Sequence, residues 1–323
     1  MRRLALLLAL VVAVAGAAGL YAVRAYDAPG PLASDRAVVI PRGGLSLVAA
    51  ALQHEGVIRA PWQFEAATLV TRGQGSVKAA ELEFPAAASL RQVLAILRAG
   101  KPVQHKLTLA EGLTAQQVTA LVDHADALDG DTPPIPEGSI LPETYAYERN
   151  TARIVLLARA TRAMERTLEA AWTSRAPDLP LASPRDALIL ASIVERETAK
   201  PDERKLVASV YLNRLRRGMK LQSDPTVVYG VSNGAGALDH GLTRSELDSE
   251  TPFNTYRNAG LPPGPICMPS AASIDAVTHP ADSADLFFVA DGTGGHAFAK
   301  TEPEHARNVA RWRAAERARK AAP

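Results

Sequence analysis

Ser183-Pro-Arg-Asp-Ala-Leu-Ile-Leu-Ala-Ser-Ile-Val-Glu-Arg-Glu-Thr198 is the stretch on which the fold turns. Ser183 suits an N-cap, Pro184 the first helical position, and Asp186 stands three residues after the cap. Apolar residues then run almost unbroken from Ala187 to Val194, which predicts a helix buried on most sides. Two carboxylates, Glu195 and Glu197, follow at its far end, and Pro201 stops it. A carboxylate at the end of an apolar helix is a candidate for a raised pKa, and so for a proton donor at neutral pH.

Helical spacing ranks the two acids. Glu197 lies three, four and seven residues after Val194, Ile193 and Leu190, so it continues the apolar stripe. Glu195 stacks over Ser192, Ala191 and Leu188, a smaller and more polar face. The spacing favours Glu197 as the desolvated acid, with Glu195 as a supporting or alternative one. The plain competitor is a surface glutamate at a frayed helix end, paired with Arg196 or Lys200, because perturbed carboxylates are a minority.

The 323 residues suffice for two domains, or one large domain with an appendage. Hydrophobic residues make up 47% and charged ones 22%, which fits a folded chain rather than a disordered one. A net charge of +2 and sparse aromatics argue against nucleic acid as a partner. Cys267 is the only cysteine, so an internal disulfide and a multi-cysteine metal site are excluded.

Arg2 and Arg3 precede an uncharged run from Leu4 to Val23, long enough to cross a hydrocarbon core. Arginines before the span place the N-terminus in the cytoplasm and the rest of the chain outside. A cleaved signal peptide is the alternative, since Ala13-Val14-Ala15 and Ala15-Gly16-Ala17 resemble cleavage sites; the length of the run favours a retained anchor.

Residues 1–25 therefore read as a cytoplasmic stub and transmembrane anchor, and 26–36 as a linker stiffened by Pro29-Gly30-Pro31. Residues 37–105 read as a small α/β module. Strands over 37–40 and 81–84 each lead into a helix, over 45–55 and 89–99. The rest, 106–323, reads as a mixed α+β domain. It has a helix after Thr114, a long one over 154–175, another over 202–217 stopped by Gly218, a strand over 286–290 and a final helix over 304–320.

Several signals were weighed for chemistry. His296, His305 and Glu304 match no metal-ligand spacing, so neither a metal nor a cofactor is expected. Asp291-Gly-Thr-Gly-Gly295 lacks the Lys-Ser/Thr of a phosphate loop and reads as a hairpin turn. Ser192 and Ser270 have no G-x-S-x-G context. What stands out is polar density in stiff segments: Gln222-Ser-Asp-Pro-Thr226, and Thr251-Pro-Phe-Asn-Thr-Tyr256 running into Gly260-Leu-Pro-Pro-Gly-Pro265. Such loops can hydrogen-bond hydroxyls and N-acetyl groups of a sugar, although ordinary turn chemistry uses the same residues.

Six motifs occur in order: Ser192-Ile-Val-Glu-Arg-Glu-Thr198, Val207-Ala-Ser-Val-Tyr-Leu-Asn-Arg-Leu215, Gly218-Met-Lys-Leu-Gln-Ser-Asp-Pro-Thr226, Asn254-Thr-Tyr256, Gly260-Leu-Pro-Pro-Gly-Pro265 and Phe288-Val-Ala-Asp-Gly292. Together they resemble the MltG (YceG-like) family of endolytic murein transglycosylases over nearly the whole chain. Met268 and Ser270 stand where that family usually has Asn and Gly.

The resemblance implies that the 37–105 module is LysM-like and that 106–323 is a lytic transglycosylase domain with Glu197 as its acid. It implies Gln222, Asp224, Thr226, Asn254, Thr255 and Tyr256 as cleft residues for peptidoglycan glycan strands. It further implies an enzyme of the inner membrane, facing the periplasm, that ends growing strands beside membrane-bound peptidoglycan synthases. A non-catalytic glycan-binding scaffold and a hydrolytic muramidase are the alternatives.

Overall fold

The computed structural model describes residues 2–321; Met1 and the last two residues of the C-terminal expectation lie outside them. The chain is α+β and divides into two compact units. One comprises residues 1–105 with 146–150, the other 106–145 with 151–323.

The first unit opens with helix α1 (Arg2–Asp27), long and apolar enough to cross a membrane and with no buried residue. The stretch expected as a linker is held to the module at both ends: Asp27 pairs with Arg91, the Gly30 amide donates to the Ala87 carbonyl, and Leu32 is buried. Strand β1 (Arg36–Val39) and β2 (Glu81–Phe84) form an antiparallel pair, Arg36 opposite Phe84 and Val39 opposite Glu81.

Between those strands lie α2 (Leu45–His54) and α3 (Pro61–Val70), and α4 (Leu90–Ala99) follows. The sequence reading missed α3. Its exposed positions are as apolar as its buried ones, so no periodic contrast marks it. Ser89 caps α4 in a reciprocal box with Gln92, and Val93, Leu94 and Leu97 join Phe64, Leu82 and Phe84 in the core.

Strand β3 (His105–Thr108) pairs with β5 (Thr144–Tyr147), and β4 (Leu128–Asp129) with β6 (Thr151–Ala152). Helix α5 (Ala115–Asp123) starts at a Thr114 capping box, and α6 is Arg153–Thr173. At the centre of the second unit is α7 (Pro184–Glu197). Ser183 and Asp186 form its capping box, and every residue from Ile189 to Glu195 is buried.

Against α7 pack α6, α8 (Arg204–Arg216) and α11 (Ala271–Thr278), burying Leu190, Ile193, Val194, Val207, Tyr211 and Ile274 in one core. Gly218, at φ +65, turns the chain after α8. Helix α9 (Asp224–Val231) begins inside the polar stretch that was read as loop, and α10 is Arg244–Leu247. Strands β7 (Phe287–Ala290) and β8 (His296–Ala299) form the expected hairpin across Asp291–Gly295, and α12 (Glu302–Ala321) ends the described chain.

Candidate active site

The last turn of α7 separates the two acids by their partners. Glu195 is the more enclosed by surface, and its side chain is fully engaged. One oxygen lies 3.5 Å from the Arg204 guanidinium; the other accepts from the Ser270 amide at 2.8 Å and the Ser270 hydroxyl at 2.5 Å. Arg204 also reaches Glu111 at 3.2 Å. Glu195 thus ties α7 to α8 and to the start of α11. A countercharge and two donors are what a buried carboxyl group requires to offset its lost hydration.

Glu197 is half-buried, with protein crowding most of its carboxyl. Its Oε1 accepts two hydroxyl bonds, from Tyr211 and from Ser223, both at 2.5 Å. Its Oε2 accepts none, and it is not among the side-chain oxygens buried without a partner. Burial pushes the Glu197 pKa up, and the negative charge of Asp224 adds to this. The bonds from Ser223 and Tyr211 and the charge of His296 oppose that rise without cancelling it. The result is a carboxyl whose acid form is favoured by its surroundings, with Oε2 left without a protein donor.

The two donors come from separate elements. Tyr211, on α8, is 1% exposed, and its ring meets Phe288 of β7 edge-on at 5.8 Å. Ser223 directly precedes α9. The sequence quoted both residues within motifs yet singled out neither, because a hydroxyl's role depends on which carboxylate it meets in space.

The segment around Ser223 is zipped to the one around Thr255. The Ser223 amide donates to Thr255 Oγ1 at 2.9 Å, Thr226 Oγ1 lies 2.9 Å from Thr255 Oγ1, and the Gln222 amide donates to the Thr255 carbonyl at 3.2 Å. Thr226 and Thr255 are buried, and their hydroxyls hold the loop together. Asn254 is buried too; its amide donates to the Leu247 and Ser249 carbonyls at 3.0 and 2.7 Å. These three are spent on architecture. Gln222 and Asp224 are exposed, and Gln222 adopts φ +53, a left-handed conformation that a glutamine rarely takes. Tyr256, half-buried, donates to Asp224 Oδ1 at 2.6 Å, and burial pushes its hydroxyl pKa up.

A second layer lies beyond Thr198, the residue that ends α7. Glu203 accepts from the His296 amide at 3.1 Å and approaches its Nδ1 at 2.7 Å, while Thr198 donates to it at 3.4 Å. Burial alone would raise the Glu203 pKa, but these bonds and the charges of His296 and Lys200 hold it below the usual value. His296, considered above for a metal, is thus turned toward Glu203, and His305 stacks on Phe287 at 5.2 Å.

The sequence profile of the YceG-like family matches residues 38–311. Over 181 residues the chain is 35% identical to a Streptococcus pneumoniae serotype 2 protein named endolytic murein transglycosylase, covering 54% of this chain and 32% of that one. It is 40% identical over 118 residues to a Bacillus subtilis strain 168 protein of the same name, covering 36% of this chain and 32% of the relative. The matched stretches thus span about a third of those relatives. The fold is similar to a crystal structure of a yceG-like protein from Listeria monocytogenes, with a TM-score of 0.54 and 25% identity, covering 85% of this chain and 98% of that one.

Proposed function

The chain belongs to the YceG-like family, and from that premise we propose that it is an endolytic murein transglycosylase anchored in the inner membrane by α1, with Glu197 as its single acid–base residue. One observation carries this reading: the Glu197 carboxyl ends an apolar helix, clamped on Oε1 by the Tyr211 and Ser223 hydroxyls and without a protein donor on Oε2, and burial pushes its pKa up.

A lytic cleavage needs only one carboxyl. Protonated Glu197 gives the Oε2 proton to the glycosidic oxygen between N-acetylmuramic acid and N-acetylglucosamine. The bond to the muramyl C1 breaks as that oxygen leaves with the electron pair. Negative charge appears on Glu197 at that moment, and the Tyr211 and Ser223 hydroxyls already point at Oε1 to receive it. They need no rearrangement, which is the efficient form of electrostatic stabilisation. The carboxylate then takes the proton of the muramyl 6-hydroxyl, whose oxygen bonds to C1 and closes the 1,6-anhydro ring. Acid then base from one group is ordinary general catalysis, worth about 10²–10⁴-fold.

The exposed residues Gln222 and Asp224, with half-buried Tyr256, are the side chains of this set placed to meet the sugar. Thr226, Thr255 and Asn254 serve it by fixing the backbone that presents them. By the charge rule, Arg2 and Arg3 favour the N-terminus of α1 in the cytoplasm and the chain that follows α1 in the periplasm. There the enzyme meets new strands, ends their elongation and works beside membrane-bound synthases. The first unit is read as a LysM-like glycan-holding module, a reading its small size and its place before the catalytic unit support.

The test is mass spectrometry of products from purified glycan strands treated with the full chain in detergent, beside Glu197→Gln. Anhydro-muramyl ends from the parent and none from the variant are expected. Reducing ends would make it a hydrolase, with Asp224 as the nearest candidate for a second carboxylate. Intact strands from both would leave a scaffold.

A further inference from the structure

Helix α3 carries apolar side chains on two faces. Phe64 is buried in the module core, whereas Trp62, Leu69 and Val70 are 60%, 64% and 83% exposed. Together with exposed Ala66 they occupy positions i, i+4, i+7 and i+8, which is one continuous stripe along the helix. A soluble module gains nothing by presenting such a stripe to water.

The stripe is placed next to the end of α1. Tyr21, Val23 and Tyr26 of α1 and Trp62, Ala66 and Val70 of α3 line one groove of about 340 Å³, almost wholly apolar. The joint is fixed. Gln63 of α3 donates to the Tyr21 hydroxyl at 3.2 Å. Arg91 of α4 forks onto Asp27 at 2.6 and 3.1 Å and stacks over the Tyr26 ring. The exposed stripe therefore sits at the level where the uncharged run of α1 gives out, at Val23. Tyr21, Tyr26 and Trp62 form there the kind of aromatic set found at a bilayer boundary. Arg24 and Arg59 line the adjoining hollow, within reach of lipid phosphates.

We propose that α3 lies in the outer interface of the bilayer crossed by α1, with Trp62, Leu69 and Val70 among the upper acyl chains and Arg24 and Arg59 at the headgroups. The occupant of the groove is lipid. The module is then held against the membrane surface by a second contact besides the anchor, in the manner of an interfacial helix. This rests on the reading of α1 as a membrane span.

The full chain is reconstituted into phosphatidylethanolamine–phosphatidylglycerol vesicles in two forms. The first is Val70→Cys carrying an environment-sensitive fluorophore; Cys267 is fully buried and leaves Val70→Cys as the reactive thiol. The second is Trp172→Phe/Trp312→Phe, in which Trp62 is the only tryptophan. Alkaline extraction of the same vesicles reports on α1 separately. The expected result is a chain that resists extraction, with blue-shifted emission at both positions and loss of most of that emission to lipids brominated near the top of their acyl chains. A chain that resists extraction but shows water-like, unquenched emission overturns the docking and leaves the anchor. Shielded emission that brominated lipid does not quench assigns the stripe to protein, a second copy included, and also overturns it. Extraction by alkali refutes the anchor and the docking together.

Discussion

Tyr211→Phe isolates one hydroxyl and leaves the ring. Tyr211 is buried at 1% exposure with its ring edge-on to Phe288, so phenylalanine keeps the packing and loses the hydroxyl that donates to Glu197 Oε1 at 2.5 Å and also meets Ser223. A bond to a charged acceptor is worth about 1.5–3 kcal/mol. In the proposed mechanism most of that is realised only when Glu197 becomes a carboxylate, that is, as the glycosidic bond breaks. At tenfold per 1.4 kcal/mol, kcat should fall by about 10- to 150-fold.

The pH profile carries the sharper test. The Tyr211 bond favours the ionised form and so pulls the Glu197 pKa down against burial. Its loss lets the pKa rise further. In the proposed mechanism Glu197 must be protonated to start the reaction, so the parent's kcat/KM should decline as pH rises through that pKa, and the decline should move to higher pH in the variant. Release of anhydro-muropeptides from purified peptidoglycan across a pH series measures both quantities. A basic limb that stays in place or moves to lower pH would refute the assignment of Tyr211 as the donor to the catalytic acid.

Glu197→Gln should stabilise the fold, and by an amount that depends on pH. Because the carboxyl pKa is raised by burial, its contribution is fully present below the ordinary carboxylate pKa and is lost as pH rises through the raised value. The melting temperature of the variant should thus pull away from that of the parent as pH rises above the ordinary carboxylate range; a constant gap contradicts this. Arg204→Ala leaves Glu195 without its buried countercharge and should cost about 3–5 kcal/mol in urea unfolding. A midpoint within error of the parent would mean that Ser270 alone supports that charge. Gly295→Ala brings a Cβ onto Glu203 Oε1 and Lys200 Nζ, the ends of two flexible side chains, so Glu203 must shift and its bond to the His296 amide loosen, at about 0.5–1.5 kcal/mol. A neutral effect at pH 7 would show that the two side chains swing aside together.

The parts legible in the sequence are those set by local rules. The Ser183–Asp186 box and the apolar run after it specify α7 without outside help, and the hairpin at Asp291–Gly295 follows from its glycines. The parts that were not legible depend on a partner or on solvent. Gln222–Thr226 looks like a polar loop because its side chains bond Thr255 and Tyr256, which lie about thirty positions on; the local helix signal, Ser223 at the cap and Pro225 in the first turn, is short and masked by the turn-forming residues around it. Helical spacing put Glu197 on the apolar stripe but could not see that Glu195, one face round, would meet Arg204 and Ser270. The ranking of the two acids rested on desolvation. What separates them in the structure is the company each keeps.

Two hydroxyls on Oε1 also restrict the Glu197 carboxyl to one setting. A half-turn about the bond to its chain breaks both bonds on the way and ends with the other oxygen in the same clamp, so either way a single outward oxygen is left to release the proton and later reclaim one. The point in space at which the leaving sugar receives a hydrogen is then the point at which the ring-closing hydroxyl must arrive. In the proposed mechanism the protein holds still between the two steps, and the displacement falls to the sugar, whose C6 arm swings into the place that its neighbour has just vacated.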